Sequence, residues 1–249
     1  MRRRQKISAL VGVGVFISLM TTAYFWGNVQ RGLLPWVEAR FPEALWHVPA
    51  SEAVVLTIDD GLSDRTPEIL NLLDRHGAKA TFFVHTRSLA DYPNGTELLQ
   101  EIQSRGHGVG HHMPEDVPSV SLTAEEFADG FRESEAAFNV LEIYHHYFRA
   151  AGGRYNRDTM LPLLIEAGYH PQFVMASFLP WDTHLPFPRI YVELMVQGIF
   201  PGAIVVFHDG LQKGEGRLNR TIVGLERFLE AMKRRGYQVV SLQMARGDG

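Results

Sequence analysis

The chain has 249 residues, 45% hydrophobic and 21% charged, with 23 Gly and 13 Pro. This is ordinary globular usage, and it excludes wholesale disorder, collagen-like repeats and low-complexity architecture. The absence of Cys excludes disulfides, thiolate metal sites and Cys nucleophiles together, so any metal must be held by His, Asp or Glu. The formal charge of −4 hides an asymmetry: Arg2, Arg3, Arg4 and Lys6 take four of the 24 basic residues, leaving 20 basic against 28 acidic, a balance of −8, in the remainder. No nucleic-acid partner is expected for a body of that sign.

Directly after the basic cluster, Ile7 to Trp26 is an uncharged stretch of 20 residues. At a helical rise of about 1.5 Å it matches a hydrocarbon core of roughly 30 Å, which predicts a transmembrane helix. The Arg/Lys cluster predicts a cytoplasmic N-terminus, with Tyr24, Phe25 and Trp26 at the far interface and the rest of the chain outside the cell membrane. A cleavable signal peptide is the other reading of the same stretch, with Thr21-Thr22-Ala23 as its small-residue site, and it makes the protein secreted. The predicted organisation is therefore a cytoplasmic cluster and anchor over residues 1–27, a stem over 28–50 interrupted by Pro35, Pro42 and Pro49, and one domain over 51–249.

Within that domain, apolar runs Val54–Ile58, Thr81–Val84, Phe173–Ala176, Ile204–Phe207 and Val239–Leu242 read as buried strands. Helical patterns separate them at Arg65–His76, Glu97–Arg105, Thr123–Tyr144, Asp158–Ala167 and Thr221–Arg235. Thr123 with Glu126 forms a possible capping box, and Gly77, Gly106, Gly168 and Gly236 stand where C-caps belong. With weaker strands before Gly110 and near Phe148, the count is about seven parallel strands. The fold class is then α/β, a distorted or incomplete (β/α) barrel preceded by the transmembrane helix, with its chemistry at the strand C-termini.

The unusual residues fall at those ends. Thr57-Ile58-Asp59-Asp60-Gly61 closes the first strand with two adjacent carboxylates, whose side chains strand alternation sends to opposite faces. Gly106 to Asp116 holds three His, and His112 and Asp116 are four apart, so one helical turn would aim both at a shared metal. His107 and His111 read as solvated surface residues. Ile204 to Asp209 is a buried strand that delivers His208 to its C-terminal end.

Together the three segments resemble the polysaccharide deacetylase family, also called the NodB homology domain or carbohydrate esterase family 4, from about Val54 to Leu242. Residues 57–61 look like its Thr-Phe-Asp-Asp-Gly, residues 106–112 like its Gly-His-Glu-Ile-Gly-Asn-His, and residues 204–209 like its apolar run ending in His-Asp. The resemblance implies a distorted (β/α) barrel with Asp59 as general base, Asp60 and His112 as metal ligands and His208 as general acid. The family's His-x-x-x-His would place its third ligand at position 116, where this chain has Asp116. A carboxylate is an acceptable zinc ligand at about 2.0–2.2 Å, so the expected set is Asp60, His112 and Asp116, with a weaker Lewis acid than two imidazoles would give. Zn2+ is the expected ion, with Co2+ or Mn2+ as alternatives.

Phe148-Arg149-Ala150-Ala151-Gly152-Gly153 is similar to the family's Phe-Arg-Pro-Pro-Tyr-Gly, which implies that Arg149 holds Asp59 and that the Gly152 N–H faces the developing oxyanion. Pro180-Trp181-Asp182-Thr183-His184 follows a strand where the family has a cleft aromatic and an acid that aligns the catalytic His. This implies Trp181 in the cleft and Asp182 behind His208, with His184 an outsider. Val206 falls where the family walls the acetyl methyl pocket.

The implied function is metal-dependent N-deacetylation of an extracytoplasmic N-acetylated glycan such as peptidoglycan, chitin-like oligomers or poly-N-acetylglucosamine. Amide hydrolysis needs an activated water, a stabilised oxyanion and a proton for the leaving amine, and the implied residues provide all three. A Ser esterase is disfavoured because no Gly-x-Ser-x-Gly elbow occurs. A non-catalytic glycan-binding protein on the same barrel and an amidohydrolase of non-sugar amides are the alternatives.

Overall fold

The computed structural model describes residues 29, 31–49, 51–92, 94–144, 147–178, 188–209 and 215–248. The expected transmembrane helix and the residues Trp181, Asp182 and His184 lie outside them. Among the described residues no helix is long and apolar enough to cross a membrane.

The fold is α/β with parallel strands. Strand β2 (Val54–Asp59) is buried along its whole length because helices cover one face and the interior the other, as its continuous apolar run requires. Around it lie β3 (Thr81–Val84), β4 (Gly108–His111), β6 (Ile204–His208) and β7 (Val239–Val240), in the order β4-β3-β2-β6 with β7 also on β2, all pairs parallel. The register sets Asp59 opposite Phe83 on one side and opposite His208 on the other, so one row across the sheet ends at the site. A second parallel pair joins β1 (Ala44–Leu45) to β5 (Phe173–Val174). Single bridges extend the larger sheet from His111 to Phe148 and from Val205 to Phe178, and Val174 N–H donates to the Phe148 carbonyl at 2.8 Å.

Alternation along β2 sorts its side chains. Val54, Leu56 and Ile58 pack into the large outer core beneath helices α2 (Thr66–Arg75), α4 (Gly95–Ser104) and α8 (Glu215–Arg234), whereas Val55 joins Phe83, Tyr147, Val174, Ile204 and Leu242 in the inner core. Thr57 and Asp59 follow Val55 on the inner face, at strand period two. Helix α5 (Ala124–Val140) opens on the expected capping box, with Thr123 and Glu126 bonded reciprocally.

Three expectations change. The segment expected as a stem is folded from residue 31: helix α1 spans 31–40, β1 pairs with β5, and Val48 N–H donates to the Gly202 carbonyl at 2.8 Å. The cause is burial, since Leu34, Ala44 and Val48 are all core residues. The strand expected to run to Leu242 stops at Val240, because Ser241 caps helix α9 (Leu242–Arg246). His107 and His111 are buried rather than solvated, because helices cover β4 on its outer side. His107 Nδ1 accepts from Ala80 N–H, and burial together with Lys79 pushes its imidazole down to about 4. His111 stacks on Phe131 at 4.7 Å, and its Nδ1 accepts from Met113 N–H.

Candidate active site and metal centre

At the C-terminal ends of β2, β4 and β6 a cavity of about 790 Å³ is lined by Asp59, Asp60, His112, Arg149, Gly152, Val206 and His208, with Asp116 on its wall. Asp59 ends the inner row of β2, and Arg149 is buried beside it. Arg149 Nη1 donates to Asp59 Oδ1 at 2.5 Å and to Thr57 Oγ1 at 2.8 Å, while Nε donates to the Val174 carbonyl at 3.1 Å and Nη2 to the Met175 carbonyl at 3.2 Å. The guanidinium lies 4.2 Å from the centroid of the Phe83 ring. Phe83 can lie there only because position 110 is Gly, where a Cβ would stand 2.6 Å from the ring. Burial lowers the Arg149 guanidinium from its ordinary value, and the Asp59 carboxylate beside it works in the opposite direction.

Asp60 takes a left-handed conformation at φ 71°, a region that Asp tolerates better than most residues, and this turns its carboxyl away from the strand. Its Oδ1 stands 3.4 Å from His112 Nε2 and 3.5 Å from His85 Nε2. Burial alone would raise the Asp60 carboxyl, but the neighbouring His112 and His85 rings and the charge of His208 hold it well below the usual carboxylate range. His112 Nδ1 lies 2.8 Å from the Arg149 carbonyl, which can only accept, so Nδ1 carries the proton and Nε2 faces Asp60. Burial pulls the His112 imidazole down, yet the carboxylates of Asp59 and Asp60 leave it raised overall. Asp60, His85 and His112 each offer a donor atom within 4.8 Å of the other two, and all three are buried.

Asp116 is not part of that cluster. It is exposed, and residues 112–116 form no helical turn, because Met113 adopts φ 69° and Pro114 follows it. The chain swings outward to Glu115, which pairs with Arg87 at 2.7 Å, so the expected meeting of His112 and Asp116 at one point does not form. Gly152 lines the cavity at φ 77°, with Pro118 so close that an added Cβ would stand 3.1 Å away. Val206 is buried at the cavity wall and His208 is half-buried at its mouth. Behind His208, Asp209 accepts from the Ser63 and Thr66 hydroxyls at 2.5 Å each, fastening the end of β6 to the loop after β2 and the start of α2, and its burial pushes the carboxyl up to about 7.

Sequence reasoning passes over two parts of this site. His85 directly follows the apolar run Thr81–Val84, so the rule that chemistry sits at strand C-termini points to it once the strand is drawn. The second part is the cavity wall made by Phe41, Glu43 and Trp46, joined there by Tyr155, Met175 and Arg157. Tyr155 stacks on Phe173 at 3.9 Å and donates to Glu43 at 3.0 Å. No local pattern marks these as cleft residues, because β1 brings them there by pairing with β5.

Residues 48–171 match the polysaccharide deacetylase family. The chain is 31% identical over 202 residues to a chitooligosaccharide deacetylase of Bradyrhizobium sp., covering 77% of this chain and 90% of the relative. It is 29% identical over 201 residues to a peptidoglycan-N-acetylglucosamine deacetylase of Bacillus cereus, covering 79% and 90%. Among solved structures, the Bc1960 peptidoglycan N-acetylglucosamine deacetylase superposes with a TM-score of 0.71 at 22% identity, over 82% of this chain and 92% of that one. A CE4 family pseudoenzyme from Bacillus anthracis superposes at 0.70 with 20% identity, over 82% and 68%. The chain belongs to the polysaccharide deacetylase family.

Proposed function

We propose that this protein hydrolyses the N-acetyl groups of an N-acetylated glycan, using a divalent metal ion, most simply Zn2+. The observation that carries the reading is the ion pair of Arg149 with Asp59, set at the floor of a cavity that also holds Asp60, His112 and His208. Donors at about 2.0–2.1 Å from one tetrahedral ion stand about 3.3–3.4 Å apart. The 3.4 Å between Asp60 Oδ1 and His112 Nε2 fits that spacing, so these two residues would hold the ion. When bound, the ion supplies Lewis-acid polarisation of the acetyl carbonyl and lowers the pKa of water.

The remaining work belongs to the chain's own groups. Arg149 occupies Asp59 Oδ1 and thereby aims Oδ2 at the cavity, where it can accept the proton of an attacking water. His208, opposite Asp59 in the strand register, gives a proton to the sugar nitrogen as the C–N bond breaks, releasing acetate and a free amine. Asp182 aligns His208, Trp181 borders the sugar, and the Gly152 N–H helps the carbonyl oxygen as it gains charge. Val206 walls the methyl group. Phe41, Trp46 and Tyr155 offer aromatic surface for sugar faces beyond the reacting unit. The strands and their bridges are the staves of a distorted (β/α) barrel, residues 1–27 anchor the chain in the membrane or direct its export, and the folded domain acts outside the cytoplasm. Peptidoglycan and chitin-like oligomers, the substrates named for the relatives above, are the glycans to try first.

A second reading, a glycan-binding pseudoenzyme, draws on the exposure of Asp116 at the position of a family ligand. Acetate release from these glycans by the full chain loaded with Zn2+, compared with Asp59→Asn, separates the two. Hydrolysis predicts a loss of about 10²–10⁴-fold in kcat, the usual worth of a general base, with zinc still bound. No acetate from any glycan by a zinc-loaded parent would overturn glycan deacetylation and leave the binding protein or an amidohydrolase of non-sugar amides.

A further inference from the structure

We propose that His85 is the third metal ligand of this site and that it replaces the family's second histidine, which this chain lacks at position 116. The inference rests on the metal-dependent reading above and specifies how the site is completed. Four observations carry it.

First, the distances suit one ion: His85 Nε2 to Asp60 Oδ1 is 3.5 Å and His112 Nε2 to Asp60 Oδ1 is 3.4 Å, against the about 3.3–3.4 Å set by a tetrahedral ion. The two imidazoles stack at a 4.6 Å centroid separation, and both Nε2 atoms lie near the same carboxylate oxygen, with the three donors within 4.8 Å of one another. Second, His85 is 5% exposed, and neither of its ring nitrogens makes a hydrogen bond within the protein. Nε2 faces only the Asp60 carboxylate, 3.5 Å away, and Nδ1 faces no protein partner, so the buried imidazole carries a free-energy cost that ligation offsets.

Third, its position is built from the backbone. His85 N–H donates to the Gly61 carbonyl at 3.3 Å, and Ser88 Oγ bridges the two loops by accepting from Leu62 N–H at 2.9 Å and donating to the His85 carbonyl at 2.6 Å. His112 N–H donates to the Val84 carbonyl at 3.2 Å. The loops after β2, β3 and β4 are thus tied together around the three donors. Fourth, the competitors are placed elsewhere. Asp116 is exposed on the cavity wall after the Met113 turn and is not among the clustered donors, and Asp59 Oδ1 is occupied by Arg149.

The chemical consequence follows from charge. One Asp with two neutral imidazoles leaves a divalent ion with net charge +1, the same as the family's Asp-His-His set, whereas a set of Asp60, His112 and Asp116 would leave it neutral. Ligand relocation therefore preserves the Lewis acidity that the substitution at 116 alone would reduce. Asp116 is released to the cavity rim, where its carboxylate faces solvent and substrate.

The test is zinc affinity by chelator competition, together with the visible spectrum of the Co2+-loaded full chain, for the parent and for His85→Ala, Asp116→Ala and His112→Ala. Loss of an outer partner of a metal ligand weakens binding by about 10–100-fold, so loss of a ligand should exceed that. His85→Ala and His112→Ala are expected to lose more than about 100-fold in zinc affinity and to change the Co2+ spectrum, while Asp116→Ala stays within about 10-fold with the parent spectrum. Thermal melts in chelator show whether the metal-free fold survives. If His85→Ala does not fold, His85→Gln carries the same expectation, since it keeps most of the volume and offers only an amide. Zinc lost in Asp116→Ala and kept in the His85 variants would overturn the relocation while leaving a metal-dependent deacetylase standing. A parent that binds no zinc would overturn both.

Discussion

Removing the Arg149 side chain is the sharpest single perturbation of this site. Arg149→Met keeps much of the apolar stem over Phe83 but deletes a cation that is 3% exposed and leaves the Asp59 carboxylate, itself 6% exposed, without its partner. Breaking a buried ion pair from one side costs about 3–5 kcal/mol, because the surviving charge stays desolvated. The lost bonds to the Val174 and Met175 carbonyls and to Thr57 act in the same direction. For a domain of this size each kcal/mol moves the melting midpoint by about 2–4 °C, so a drop of about 6–20 °C is expected. Asp59→Asn orphans the guanidinium instead and should be destabilising by a comparable amount. The double variant Asp59→Asn/Arg149→Met carries neither charge, and its loss should fall short of the sum of the singles by at least about 1.5 kcal/mol. Urea unfolding of all four proteins, followed by circular dichroism in the presence of chelator, measures the cycle. Additive losses, or an Arg149→Met midpoint within experimental error of the parent, would refute the view that this pair is a desolvated unit holding the base.

Two further outcomes are expected. Gly110→Ala places a Cβ 2.6 Å from the Phe83 ring and should cost about 1–3 kcal/mol by overpacking. Because Phe83 underlies Arg149, its kcat should fall while zinc affinity, measured by chelator competition, stays near the parent value; an unchanged kcat would uncouple Phe83 from the base. Burial pushes His107 down to about 4, whereas an unfolded chain titrates its His near 6.5, so between those values the unfolded state binds more protons and stability falls as the pH is lowered. His107→Gln should remove up to about 3 kcal/mol of that acid sensitivity, seen as a flatter plot of unfolding free energy against pH from about 6.5 to 4. An unaltered slope would mean that His107 is not the group responsible.

Much of this protein is readable from local sequence, and the residues that are readable share one property: their roles follow from neighbours in the chain. Val54 to Asp59 is a run too apolar for a half-exposed strand, so it had to be central, and a carboxylate pair at its end had to sit at the strand's C-terminal mouth. The same logic reaches His208 at the end of β6, and the Thr123–Glu126 box announces α5. Arg149 was accessible only through the motif it resembles, since nothing around it predicts a buried cation. Spacing misleads where a backbone conformation intervenes: His112 and Asp116 are a helical turn apart in number, but Met113 at φ 69° and Pro114 prevent that turn and send Asp116 to the rim. What tertiary structure alone decided are the juxtapositions made by strand register and loop contacts. His85 becomes a neighbour of Asp60 because its N–H is bonded to the Gly61 carbonyl, and of His112 because β3 and β4 pair with Val84 opposite His111. Phe41 and Trp46 reach the cavity because Ala44 pairs with Phe173. Such contacts join residues far apart in the chain, and their free energy comes from burying a shared core and satisfying backbone hydrogen bonds, which no short window of sequence contains.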